Sequence, residues 1–174
     1  ALIGQNIAPG FNRSFVSETW PWMDAAIWDD ARTEVEDLAE YDRELDIVGT
    51  DIDHRMIDIS KQNAYEAGLG EMIQFKQMQV KDLHTTKQYG VIVGNPPYGE
   101  RLGEKAEVEA MYREMGRTFA KLETWSIYIL TSHRQFETFY GKPATKKRKL
   151  FNGFIRTDFY QYWGPKPPKD VRSY

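Results

Sequence analysis

Apolar positions along the chain alternate between two spacings. Residues 45–52, 89–94 and 125–131 form short apolar runs of buried-strand type, and residues 72–79 alternate weakly like a further strand. Between them the spacing becomes helical. Met56, Ile59, Ala64 and Ala67 share a helix that Asp53 caps and Gly68 stops. Val108, Met111, Tyr112, Met115, Phe119 and Leu122 recur every three or four residues, which predicts an amphipathic helix, and residues 133–140 predict a short one.

Both ends of the chain break this alternation. Residues 1–5 read as the middle of a helix, and residues 6–15, with Pro9 and Gly10, as a loop. Pro21, between Trp20 and Trp22, suits the first turn of a long helix whose tryptophans (Trp20, Trp22, Trp28) are assigned to the core. Residues 149–152 and 154–163 predict two strands joined around Asn152-Gly153, a hairpin signal. The proline-containing tail from Gly164 reads as extended.

Strands alternating with helices imply an α/β domain with one largely parallel sheet, covered on both faces, and a closing antiparallel hairpin at one edge. Ligands of such sheets lie beyond the carboxyl ends of the strands. Asp51, Asp82 and Asn95 all fall at or just after strand ends, and so become one candidate site.

Composition narrows the chemistry. A chain of 174 residues suffices for a domain with its own core, and no apolar run approaches the ~20 residues of a membrane span. The absence of cysteine excludes disulfides and thiolate metal sites, in keeping with a cytoplasmic protein. His54, His84 and His133 lack metal-ligand spacing, so no metal is expected. The net charge of −3 hides an asymmetry: residues 1–46 carry 3 basic and 11 acidic side chains, residues 47–174 carry 20 and 15. The acidic stretch at residues 29–46 reads as a solvated helix face. Lys142, Lys146, Lys147, Arg148 and Lys149 read either as phosphate contacts or as a solvated loop before a strand.

Asn95-Pro96-Pro97-Tyr98 is the strongest signal. Two prolines directly after an apolar strand make a rigid turn, since each fixes its own φ and neither donates a backbone hydrogen. Free carbonyls then stand beside the amide oxygen of Asn95. Acceptors so placed suit a conjugated amino group, whose delocalised lone pair makes it a poor nucleophile. Holding its two hydrogens turns the lone pair toward an electrophilic methyl group and stabilises the charge that develops on nitrogen. Tyr98 can stack on the flat substrate. Asp51 can accept from a ribose diol, Asp53 being the helix cap, and Asp82 from an adenine amino group with Leu83 against the ring. Each aspartate also reads as an ordinary turn residue.

Asn95-Pro96-Pro97-Tyr98-Gly99-Glu100-Arg101-Leu102, preceded by Gly49-Thr50-Asp51-Ile52-Asp53 and followed by Lys147-Arg148-Lys149-Leu150-Phe151-Asn152-Gly153, resembles the RNA methylase family of THUMP-containing guanine-N2 methyltransferases of large-subunit ribosomal RNA. The resemblance implies a Rossmann-like fold, S-adenosylmethionine as methyl donor, and Asp51, Ile52, Asp82, Leu83 and Asn95 around it. It further implies that Asn95, Pro96, Pro97 and Tyr98 are catalytic and that the substrate is ribosomal RNA. Arg101, beside the turn, is expected either to meet a phosphate or base edge or to pair with Glu100 or Glu104. The family's glycine-rich loop, first strand and THUMP domain have no match, so residues 1–174 are expected to form an N-terminally truncated methyltransferase domain. Two rivals remain open: an amino-methyltransferase acting on DNA adenine or protein glutamine, and a catalytically silent RNA-binding domain.

Overall fold

The computed structural model describes residues 1–98 and 104–169, with the side chains of Glu104 and Asn152 excepted. The chain divides into two compact units, Ala1–Met78 and Gln79–Tyr174.

The first unit contains α1 (Ala25–Asp37), β1 (Ile47–Asp51), α2 (His54–Glu66) and β2 (Ile73–Gln77). A short 3-10 turn, Leu2–Gln5, replaces the helix expected at the start. It is tied down by Gln5, whose buried amide donates to the carbonyls of Tyr41 (2.8 Å) and Arg43 (3.2 Å). The long helix begins at Ala25 rather than at Pro21, because Asp24 caps it by accepting from the N–H of Ala26. Trp20 and Trp22 therefore precede the helix, where they pack ring against ring 5.4 Å apart and stay exposed; they are not core. Trp28 alone is half-buried, stacked on Phe15. No residue of α1 is buried, as expected of the acidic face.

α2 follows its expectation closely. Asp53 caps it by accepting from the N–H of Arg55, and Gly68 ends it with φ +73°. The Arg55 guanidinium and its own backbone bond hold the Asp53 carboxyl below the usual carboxylate range. β1 and β2 pair in parallel, with Ile47 opposite Ile73 and Asp51 opposite Gln77.

The second unit contains β3 (Val91–Gly94), α3 (Glu104–Phe119), β4 (Ser126–Thr131), α4 (Phe136–Tyr140), β5 (Lys146–Asn152) and β6 (Ile155–Tyr162). Its sheet has the order β3-β4-β6-β5: β3 is parallel to β4, and β6 runs antiparallel to both β4 and β5. The closing hairpin is thus as expected, but the described strands form a parallel pair and a four-stranded mixed sheet, not one sheet. Burial differs as well. Val48, Ile52, Val91 and Val93 are exposed, Val93 at 75%, although their runs read as buried strands. Exposure alternates along both strands, Val48 between half-buried Ile47 and Gly49 and Val91 and Val93 on either side of half-buried Ile92, so among the described residues one face of each lacks the cover such a strand needs for burial.

The core lies on one face of the second sheet. Val108, Tyr112, Met115 and Phe119 of α3 pack with Ile127 and Ile129 of β4, Phe136 and Tyr140 of α4, and Tyr160 and Tyr162 of β6. α3 meets α4 so closely that a Cβ on Gly116 would lie 2.0 Å from the carbonyl oxygen of Tyr140. Burial pushes the Tyr140 hydroxyl up to about 12; burial, with the carboxylates of Asp158 and Glu137, does the same for Tyr160.

β5 begins at Lys146, so Lys146 to Lys149 belong to an edge strand and not to a loop before it. Asn152 pairs with Ile155, which makes Gly153 and Phe154 the two central residues of the hairpin turn. Gly153 has φ +60°, and glycine in the first central position with positive φ is the type II′ requirement. The turn is centred one residue later than Asn152-Gly153, which moves Phe154 out of the strand to the tip. Among the described residues no helix is long and apolar enough to cross a membrane, and no cluster of His, Asp or Glu could hold a metal.

Candidate active site

β3 delivers Asn95 to the carboxyl end of its sheet, one residue beyond Gly94. The four residues that follow the strand are held by two hydroxyls. The Tyr98 hydroxyl donates to Oδ1 of Asn95 at 2.7 Å. The Tyr112 hydroxyl donates to the carbonyl of Pro97 at 2.9 Å.

Tyr112 has no exposed surface and stands on the inner face of α3. Its oxygen also lies 2.9 Å from Oγ1 of Thr131, at the end of β4, and that oxygen accepts from the N–H of His133 at 3.1 Å. A hydroxyl has one hydrogen. With the Tyr112 hydrogen on Pro97, the direction of the whole chain is fixed: His133 N–H to Thr131, Thr131 O–H to Tyr112, Tyr112 O–H to the turn. Burial pushes the Tyr112 hydroxyl above its ordinary value, so it remains a donor at neutral pH. His133 packs edge-on against the Tyr112 ring, 5.4 Å between centroids.

These bonds sort the acceptors of the turn. The carbonyl of Pro97 is committed to Tyr112. Oδ1 of Asn95 keeps a second lone pair beside the one given to Tyr98, and the Tyr98 bond fixes which way the amide faces. The carbonyl of Pro96 receives no hydrogen bond from the described residues. Among the described residues, the second lone pair of Asn95 Oδ1 and the Pro96 carbonyl are thus acceptors of the turn without a partner.

The donor-side residues divide between the units. Asp51, exposed at the end of β1, gives Oδ1 to the N–H of Asp53 at 2.8 Å, a local turn that leads into α2; its second oxygen has no partner among the described residues. Ile52 is exposed, and its carbonyl accepts from Gln77. A cleft of about 820 Å³ in this unit, lined by residues of α2 and β2, includes neither residue. In the second unit Asp82 and Leu83 line a cavity of about 440 Å³ with Lys81, His84, Thr118 and Lys121. That cavity lies at the carboxyl end of α3 and contains no residue of the Asn95–Tyr98 turn. The structure thus places Asp82 with Leu83, and Asn95 with Tyr98, as separate groups. Arg101, with Gly99, Glu100 and Leu102, lies outside the described residues.

Tyr112 and Thr131 escape the sequence argument. Tyr112 fits the apolar stripe of α3 and reads as core, which it is; its hydroxyl is the part that matters. The one available signal is that a buried tyrosine needs a hydrogen-bond partner where leucine would not.

The α/β chain matches solved methyltransferase structures, one of them in complex with SAH, along nearly its whole length, which makes it a Rossmann-like methyltransferase domain, the class that takes its methyl group from S-adenosylmethionine. The chain belongs to the RMKL-like methyltransferase domain family, whose model matches residues 1–161. It is 66% identical over 173 residues to the "Putative RNA methyltransferase YpsC" of Bacillus subtilis (strain 168), covering 99% of this chain and 45% of that protein. It is 34% identical over 167 residues to the ribosomal RNA large subunit methyltransferase K/L of Shewanella sp. (strain W3-18-1), covering 93% of this chain and 24% of that protein. The solved structure of SMU.472 in complex with SAH matches with a TM-score of 0.91 and 49% identity over 96% of this chain and 44% of that one. A Listeria monocytogenes str. 4b F2365 structure, described as a "predicted N6-adenine-specific DNA methylase", matches with a TM-score of 0.87 and 62% identity over 94% of this chain and 42% of that one. The chain spans less than half the length of each of these proteins.

Proposed function

We propose that this chain carries the acceptor side of an S-adenosylmethionine-dependent enzyme that methylates the exocyclic amino group of a guanine in RNA, with large-subunit ribosomal RNA as the substrate. The observation that carries the reading is the pair of acceptors left by the turn, Asn95 Oδ1 and Pro96 O. Two acceptors on a rigid turn match the two hydrogens of a conjugated amino group. Their pull on those hydrogens grows as nitrogen becomes positive, so they lower the barrier more than they strengthen binding. The Tyr98 ring stacks on the extruded base while its hydroxyl keeps the Asn95 oxygen facing the substrate.

The cofactor, when bound, supplies a methyl group on a positively charged sulfur. Within the first unit, the Asp51 oxygen without a partner among the described residues would suit a ribose hydroxyl, with Ile52 next to it; within the second, Asp82 and Leu83 would suit an adenine amino group and ring. The RNA methyltransferase names of two relatives support RNA, and guanine rests on the family resemblance of the Gly99-Glu100-Arg101-Leu102 extension. The Listeria structure's description favours a second reading, methylation of adenine in DNA, which the same turn would serve.

The test is methyl transfer from labelled cofactor by the full-length protein to unmodified ribosomal RNA, DNA and protein, followed by nucleoside analysis. Methylguanosine in RNA is the expected product; label confined to DNA or protein overturns the RNA reading. Asn95→Ala should cut kcat by about 10²–10³-fold with the fold and Tm retained. An unimpaired variant refutes the role of the turn.

A further inference from the structure

The closing hairpin carries charge and aromatic surface that the transfer chemistry does not use. Residues 142–156 hold six basic side chains and no acidic one. All six are exposed, and among the described residues only Lys147 is in an ion pair, with Glu137 at 3.0 Å. Phe151 and Phe154 are exposed on the same hairpin, Phe154 completely, at the turn. An exposed phenylalanine pair flanked by cations has no folding role in an edge strand, where lysine alone would protect against unwanted pairing.

Topology places this tip with the candidate active site. β5 is parallel to β3 and β4, since both it and β4 run antiparallel to β6. Its carboxyl end therefore lies at the same edge of the sheet as Asn95. β4 ends at Thr131, level with Asp158 and Lys149. Three further residue pairs, ending at Asn152 and Ile155, carry the hairpin roughly 10 Å beyond β4, about 15 Å to the side of β3. The tip stands as a ridge beside the reactive turn.

We infer that the β5–β6 hairpin is an RNA-docking arm: Phe154 and Phe151 stack on bases of the single-stranded segment flanking the target, and Lys149 and Arg156, on the same face as Phe151, contact its phosphates. Stacking platforms interleaved with cations are what single strands require, because every base has a flat face and every linkage a charge. A base brought to Asn95 must be unpaired or leave its stack, which leaves its neighbours as single strand within reach of the tip. This inference rests on the RNA reading above.

Full-length protein, Phe154→Ala and the double variant Lys149→Gln/Arg156→Gln are compared for binding to a short labelled single-stranded RNA, for methyl transfer to ribosomal RNA, and for SAH affinity. Phe154→Ala is expected to weaken RNA binding about tenfold. The double variant should flatten the salt dependence, the slope of log K against log salt falling by roughly 0.7 for each phosphate the arm no longer neutralises. SAH affinity stays unchanged in both, since every substituted side chain is exposed. If the wild type binds and methylates RNA while both variants match it in affinity, slope and kcat/KM, the docking arm is overturned and the RNA reading stands. If the wild type labels only DNA or protein, the RNA reading falls and the arm with it.

Discussion

Replacing Tyr112 by Phe removes one oxygen from a side chain with no exposed surface and leaves its ring packing in place. That oxygen serves two bonds, one to the Pro97 carbonyl and one from the Thr131 hydroxyl. Pro97 is exposed, so its carbonyl can turn to water and loses only the net worth of a hydrogen bond, about 1 kcal/mol. Thr131 is fully buried, and its hydroxyl would be left without an acceptor, which costs about 1–3 kcal/mol. The sum is about 2–4 kcal/mol. At roughly 2–4 °C per kcal/mol for a domain of this size, Tm should fall by about 4–16 °C. The activity signature is more specific. Freed from α3, the turn should hold its acceptors less firmly, lowering kcat about tenfold while the KM for cofactor stays constant. Thr131→Val is the control: it also strands a buried partner, the N–H of His133, but keeps the Tyr112–Pro97 bond. It should lose comparable stability at near-normal kcat. A Tyr112→Phe variant with full kcat, or a Thr131→Val variant equally slowed, refutes the claim that Tyr112 positions the turn.

Three further outcomes follow from the same geometry. Tyr98→Phe loses the bond that orients the Asn95 amide and should lower kcat by about fivefold, whereas Tyr98→Ala also loses stacking and should lose about 10–100-fold; equal losses would deny the ring its role. Gly116→Ala drives a methyl group into the Tyr140 carbonyl and should cost about 3 kcal/mol or more, read as a lowered urea midpoint, since backbone cannot yield as a side-chain tip can. In alkali, Tyr140 and Tyr160 stay protonated in the folded protein up to about 12 but ionise near 10 once unfolded. Stability should therefore be level below pH 10 and fall as pH rises from 10 to 12, read as a falling urea midpoint; a midpoint that stays level from pH 10 to 12 would contradict that burial.

The reactive turn was legible because its signal is local: a strand-type run, two prolines and a polar residue at the junction. The same holds for α2, whose start at Asp53 and stop at Gly68 are short-range chemistry. Errors arose where neighbours decide. Val91 and Val93 have the pattern of a strand covered on both faces, and only the alternating exposure along β3 reveals the open face. Trp20 and Trp22 were drawn into the helix by Pro21, whereas the stronger capping side chain, Asp24, sets its start. β5 starts three residues ahead of the strand expected from Lys149, because consecutive cations suppress strand patterning, yet an edge strand tolerates them. The partnership of Tyr112 with Pro97 spans fifteen positions and leaves no periodic trace.

That partnership bears on how such a site can be moved or rebuilt. The rigid part of Asn95-Pro96-Pro97-Tyr98 is its proline pair, but its placement is borrowed from α3 and from the end of β4. Grafting the four residues onto another strand end would reproduce the acceptors without the anchor that aims them. A transplant would have to carry a tyrosine on the facing helix and a hydroxyl on the adjacent strand, so the smallest portable unit is discontinuous in sequence.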